Sequence, residues 1–465
     1  LFDLGLNMAQ ITNLATDDLN ALTAGQFRYL STAQIGWLTS DQVVNLESDD
    51  LRALSGAQVA AISAANITAM DSTDLAYLTA EQVGGLKVAQ ILAISSGDLA
   101  GIGTEALAGL TSSQIASMSS DQLSALTSDQ LQNLSGDQLR GLTVTQIASL
   151  STDDLNTLTA LQFKELSNRQ IAALGSDQIN ALESADFQAL NTAQIRAIDA
   201  SDITALTSDN LPSLTANQMS GLSNAQLQAL GADTTEINAI SLNALGGLSS
   251  AQIAALATDQ VVALSDNQQQ ALTGEQMRGL TASQLSSLAS TELNTFTATQ
   301  FQALTTAQIA GLGSDQVANL ETADLMALTA AQVRALGSED IAALGSDSLA
   351  ALTAEQMGAL TSSQVRAIDT SDLNALAAAD LNELGSSQVQ ALSQNQIDNL
   401  DTETISVLSA ATMAALTSTQ IGWLDTVDLG VLSAEQLGAL STLQVRAIDS
   451  ADIGSISVSA LLGLS

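Results

Sequence analysis

Residues 119–150 read SSDQLSAL TSDQLQNL SGDQLRGL TVTQIASL, one octad written four times. Counted from its leucine, as in Leu126 to Asn133, place 1 is Leu or Ile and place 2 is Ser or Thr. Places 3 and 4 are polar or small, and place 5 is Gln or Asp. Place 6 is Leu, Ile, Val, Met or Phe, place 7 varies, and place 8 is mostly Ala, Gly, Ser or Asn. Outward from this stretch, place 1 recurs every eight positions from Leu6 to Leu230 and again from Ile240 to Leu464. The sequence therefore divides into a first octad array over 1–229, a ten-residue irregular unit over 230–239, and a second array over 240–465. An unbroken short repeat replaces the usual expectation of several globular domains with one repetitive body.

The period excludes a long helix. Eight residues on a 3.6-residue turn drift by about 80° per unit, so the apolar stripe would wind around the helix and face no partner. Thr127 with Gln130, Ser135 with Gln138 and Thr143 with Gln146 instead show the spacing of a capping box. There the hydroxyl accepts from the amide three residues on, and the Gln side chain returns to the cap amide. A new cap every eight residues limits each helix to about two turns, below the roughly 12 residues at which an isolated helix is marginal. Such helices persist only by packing on other copies, with places 1 and 6 as core and the small place 8 allowing close approach. A β-solenoid is the competing reading, since QVVAL and QIASL contain β-branched residues. Places 6, 8 and 1 do not alternate, however, and alanine is abundant where strands favour branched side chains.

Variants at place 5 set the coil. Asp50, Asp74 and Asp98, then Asp324, Ser348 and Asp372, then Thr404, Asp428 and Asp452 recur at steps of 24, which predicts three octads per superhelical turn. The expected fold is an all-α solenoid of very short capped helices, forming an elongated acidic body.

Composition narrows function. Eleven Lys plus Arg against 49 Asp plus Glu give a net charge of -38 with 46% hydrophobic residues, which repels nucleic acid and anionic membranes while still supplying a core. Cysteine and histidine are absent, which removes disulfides, thiol chemistry and the commonest general base and metal ligand. No run of eighteen apolar residues is present to span a bilayer. The sequence starts at Leu1 in mid-pattern, as a processed product or a segment of a longer one would. Neither a phosphate-binding loop nor a dinucleotide-binding glycine run occurs, and no octad leaves the lattice to build a catalytic cleft, so no catalytic residue and no required cofactor is assigned.

The most site-like feature is a coupling. Where place 2 is acidic, place 5 is usually Asp, as in Glu47 with Asp50, Asp71 with Asp74, Glu183 with Asp186 and Asp199 with Asp202. Glu321 with Asp324, Asp369 with Asp372, Asp425 with Asp428 and Asp449 with Asp452 repeat it, and only Asp401, with Thr404, breaks it. Carboxylates in a first helical turn are favoured by its free amides and dipole, which suffices to explain them. As a metal reading, Glu47, Asp50, Asp71, Asp74, Asp199, Asp202, Asp369, Asp372, Asp449 and Asp452 are hard oxygen ligands of the kind calcium takes, although two carboxylates fall short of a full ligand shell. Arginine prefers place 7, and the phrase RAID pairs Arg196, Arg366 and Arg446 with Asp199, Asp369 and Asp449, which predicts ion-pair stapling of octad junctions. Tyr29, Trp37, Tyr77 and Trp423 take the normally small place 8, where a bulky ring seals a groove or fills a gap. Pro212 should disturb its helix.

The phrases LTAAQVRAL at 328–336, LTTAQIAGL at 304–312 and LTSSQIASM at 110–118 resemble repeats in very large, low-complexity bacterial proteins regarded as secreted surface or adhesin-like products. The resemblance covers practically the whole chain. It implies an extracellular or cell-surface location and assembly into filaments, fibres or a layer. The leading expectation is a structural protein that self-associates end to end or side by side, with SVSALLGLS stacking near Phe2 of another copy. The alternative is a recognition module whose place-7 or aromatic-bearing face binds a glycan or protein receptor.

Overall fold

The computed structural model describes residues 5–230 and 236–464, so Phe2 and the centre of the ten-residue unit lie outside the described residues. Two compact units are present, Leu1–Gly247 and Leu248–Ser465. Within each, helices of four to six residues follow one another octad by octad, and no strand occurs among the described residues.

The octad containing Thr127 shows how the sequence makes this element. Thr127 is extended at φ -69°, ψ 159°, and its hydroxyl accepts from the Gln130 amide at 3.2 Å, while the Gln130 Oε1 accepts from the Thr127 amide at 2.8 Å. Helix Ser128–Gln132 then ends at Asn133, because Ser135 is extended and caps the next helix. Cap residues without a hydroxyl, such as Ala257 and Gly313, still begin helices, because the Gln at place 5 closes half of the box through Oε1.

Each helix packs on those three earlier and three later. Ser128–Gln132 meets Thr104–Leu107 and Thr152–Thr157 in the first unit, and Ser338–Ala343 meets Ser314–Ala318 and Ser362–Ala367 in the second. Three octads thus make one coil. Place 6 points to the axis, where Leu123, Leu139 and Ile147 are fully buried, and place 1 seals the corner. Each unit is a short-period all-α solenoid whose stability comes from apolar burial between coils. Close approach is needed at place 8. A Cβ on Gly109 would lie 2.0 Å from the Ala80 carbonyl oxygen, and one on Gly247 would lie 2.1 Å from that of Ala216.

At Pro212 the α-helix is replaced by a three-residue 3-10 turn, Leu211–Ser213, with the proline near its start.

Candidate functional site

The repeated polar element of the molecule is the place-5 side chain. Gln130 Nε2 donates to the carbonyls of Leu99 at 2.9 Å and Ile102 at 2.8 Å, 31 and 28 residues earlier, while its Oε1 holds its own cap. Gln122, Gln146, Gln226, Gln332 and Gln396 repeat the pattern in their own coils. One buried amide therefore satisfies a cap donor in its own helix and the place-1 carbonyl of the previous coil, groups that would be costly to bury unpaired, and gives the place-6 carbonyl there a second donor beside its own backbone amide. Sequence reasoning assigned Gln only to the cap. Its donors act across 28 and 31 residues, a separation with no local signature.

Shorter side chains use the same seat in other ways. Asn66 Nδ2 still reaches the Leu38 carbonyl at 2.7 Å. At Thr404 and Thr412 the amide comes from the opposite direction. Asn374 donates to the Asn399 carbonyl and accepts from the Asp401 amide, and Asn382 donates to the Val407 carbonyl at 3.1 Å. The Asn382 Oδ1 also accepts from the Ser409 amide at 2.6 Å and from the Thr412 hydroxyl at 2.9 Å.

The acidic pairs separate into two kinds. Asp71, Asp199, Asp369, Asp425 and Asp449 at place 2 accept backbone amides of their own first turn. Hydrogen bonds from Ser201 and Ser371 hold Asp199 and Asp369 below the ordinary carboxylate range, and that from Thr404 does the same for Asp401. Glu47, Glu183 and Glu321 instead make no side-chain cap, and their partners Asp50, Asp186 and Asp324 are buried, at 4%, 5% and 6% exposure. Burial, then the neighbouring Glu, pushes Asp186 and Asp324 up to about 6, and the same causes raise Asp50. Asp74 and Asp428 are raised too, chiefly by burial.

Of the residues considered for calcium, Glu47 with Asp50 and Asp71 with Asp74 share an octad, as do Asp199 with Asp202, Asp369 with Asp372 and Asp449 with Asp452. Among the described residues no three acidic side chains converge as a metal site. The expected RAID ion pairs do not form. Asp199 and Asp369 are engaged by Ser201 and Ser371, and Arg366 Nε reaches forward to the Ala391 carbonyl at 3.1 Å. The cap amides outcompete a guanidinium that must be held by a long, exposed side chain. Among the described residues, ion pairs join Arg140 to Asp137 and to Glu165. The place-8 aromatics contribute one surface feature. Arg52 lies 5.5 Å from the Tyr77 ring centroid, beside an open groove lined by Arg28, Arg52 and Glu81. No described helix is long and apolar enough to cross a membrane.

A family model for the ALTTAQ repeat matches residues 11–46, 43–80, 91–128, 150–182, 179–216, 317–354, 338–368 and 365–402, together more than half of the chain. No curated protein matches it. A solved structure described as "Structure of APUM23-GGAAUUGACGG" is 11% identical over 96% of this chain and 92% of that one, with a TM-score of 0.16.

Proposed function

The chain belongs to the ALTTAQ repeat family, and from that premise we propose that it is a structural protein and not an enzyme: an acidic building block of an extracellular filament, fibre or surface layer. The observation that carries this reading is the uniformity of the coil junction. The same side-chain amide joins each coil to the last in both units, so the chemistry that extends a solenoid is written on its coil surface. Ile453 and Leu461 occupy place 6, which is buried in most other octads, and are 47% and 39% exposed; Val458 and Leu462 beside them are 80% and 74% exposed. A further coil would cover this apolar surface, and where a second copy supplies that coil the contact is heterologous and can propagate. The net charge of -38 opposes side-by-side aggregation of the same molecules. Negative-stain images of the purified chain across a concentration series test the reading. Long uniform fibres whose growth stops in Val458→Asp/Leu462→Asp support it, and single particles at every concentration contradict it.

A second reading rests on the groove lined by Arg28, Arg52 and Glu81, beside which the Tyr77 ring lies under Arg52, in a chain that has few cations and few rings. It takes the protein as a recognition module for a carboxylate-bearing glycan. Binding of acidic glycans to single particles, lost in Arg28→Ala/Arg52→Ala, would favour it.

A further inference from the structure

Three octads share a feature that neither capping nor coil packing uses. The place-7 asparagines Asn20, Asn156 and Asn294 donate through Nδ2 to the carbonyls of Asn45, Ala181 and Asn319, at 2.7, 2.8 and 2.9 Å. A carbonyl must be met by the NH2 group, so these bonds fix which way each amide points. The opposite atom, Oδ1, is buried and has no hydrogen-bond partner in all three. Thirty residues after them stand Asp50, Asp186 and Asp324, the buried members of the three Glu–Asp pairs. The Oδ2 of Asp50 is likewise buried and unpartnered.

Asn382 shows what belongs between such atoms. Its Nδ2 makes the same forward bond, and its Oδ1 accepts from the hydroxyl of Thr412, again thirty residues on. In the three aspartate octads the hydroxyl is replaced by a carboxyl group, which is an acceptor when ionised and a donor when protonated. Two acceptors with no proton between them leave buried lone pairs unsatisfied, and one proton from solvent cures both.

We propose that Asp50, Asp186 and Asp324 are proton-closed clamps: on acidification each carboxyl takes a proton and donates it to Oδ1 of Asn20, Asn156 or Asn294, tightening one coil against the next. The raised titration of all three agrees with this.

The charged surroundings are specific to each clamp. Around Asp50 stand Glu47, Asp49 and Arg52 on its own segment, and the packed helix Ala24–Tyr29 carries Arg28 and Tyr29. Asp186 has Glu183; the packed Ala160–Glu165 brings Lys164 and Glu165, and Leu211–Ser213 brings no charge. Asp324 has Glu321; the packed Ala298–Ala303 carries no titratable group, and Ser346–Ala350 carries Asp347. The segments that carry the three asparagines add Asp17 and Asp18, Asp153 and Asp154, and Glu292. Burial first, then Glu47 with Asp49, Glu183 and Glu321, favours the protonated carboxyls, and at Asp50 a hydrogen bond from the Glu47 amide works the other way.

The sign of the linkage follows. A carboxyl raised in the folded state makes the folded chain bind more protons, so stability rises as pH falls through the folded value near 6 and levels off below the ordinary value of 3.8. The capping aspartates, held low, lose their contribution only below that window.

The test is the pH profile of thermal unfolding of the full chain between about pH 7.5 and 4.5, compared with Asp186→Asn/Asp324→Asn and with Asn156→Ala/Asn294→Ala. An asparagine in the seat is a permanent donor, so the first variant should unfold several degrees higher than the parent near neutrality, and the two should converge in acid. The second variant, lacking the acceptor, should be weaker throughout and gain less from acid. Parallel profiles of the parent and the first variant overturn the proposal. So does a full acid gain in the second, which would mean that burial alone sets the titration. A parent stabilised at neutral pH by millimolar calcium, with the first variant unaffected, also overturns it, because the seat would then hold a cation.

Discussion

Residues 119–150 and the Thr404 and Thr412 octads fold into the same kind of coil, but their place-5 seats are joined to the neighbouring coil in opposite directions. In the first, Gln122, Gln130, Gln138 and Gln146 reach back to carbonyls of the coil before. In the second, Thr404 and Thr412 are too short to do so, and Asn374 and Asn382 reach forward to the coil after, meeting the cap amides that Gln would have met. A junction therefore needs one amide bridging two coils and is indifferent to which coil supplies it. The second arrangement is looser. Helix Ala378–Asn382 starts at Ala377 with no side-chain cap, and an enclosed apolar cavity of about 20 Å3 lies beside Thr404 and Thr412.

The largest expected effect breaks the first region. Gln130→Leu leaves the Ile102 carbonyl and the Thr127 amide without their partner and takes the second donor from the Leu99 carbonyl, which keeps the Ile102 amide; two buried groups left unsatisfied should cost about 3 kcal/mol. Chemical denaturation of the full chain measures it, and hydrogen exchange should localise the loss to that junction.

The second effect tests the equivalence of the two directions. Asn382→Ala should cost about 2 kcal/mol by releasing the Val407 carbonyl and the Ser409 amide. Adding Thr412→Gln should recover most of it, since a Gln there restores the backward clamp to Leu381 and Leu384. A double variant no better than the single would mean that the two regions are not interchangeable.

The smallest effect concerns caps alone. Thr127→Ala should cost about 1 kcal/mol, and Ala377→Ser should gain a similar or smaller amount by giving the looser region the cap that it lacks. Paired melting curves check both.

The helices, their caps and the coil length were legible in the sequence for physical reasons. A hydroxyl three residues before Gln is a local signal, as at Thr127 and Gln130, and stacked substitutions such as Asp50 and Asp74 betray the 24-residue turn. The clamp was not legible, because Gln at the third helical position already has a sufficient local role and its amide works across a distance that only the folded coil defines. The pairing of Asn20 with Asp50 is written in the sequence too, but a spacing of thirty means nothing until a coil of 24 residues is known. The Arg196 and Asp199 staple failed for the opposite reason. Its local spacing was right, yet Ser201 stood closer to the carboxylate than any guanidinium.

Wherever Gln stands at place 5, as at Gln130, its amide joins one coil to the one before. A side-chain-resolution cryo-electron microscopy map of the full chain measures it directly at Gln130 and its equivalents. The account predicts Nε2 within about 3 Å of carbonyls 28 and 31 residues earlier, as at Leu99 and Ile102. Glutamine side chains turned to solvent, or coils of any length other than three octads, would contradict it.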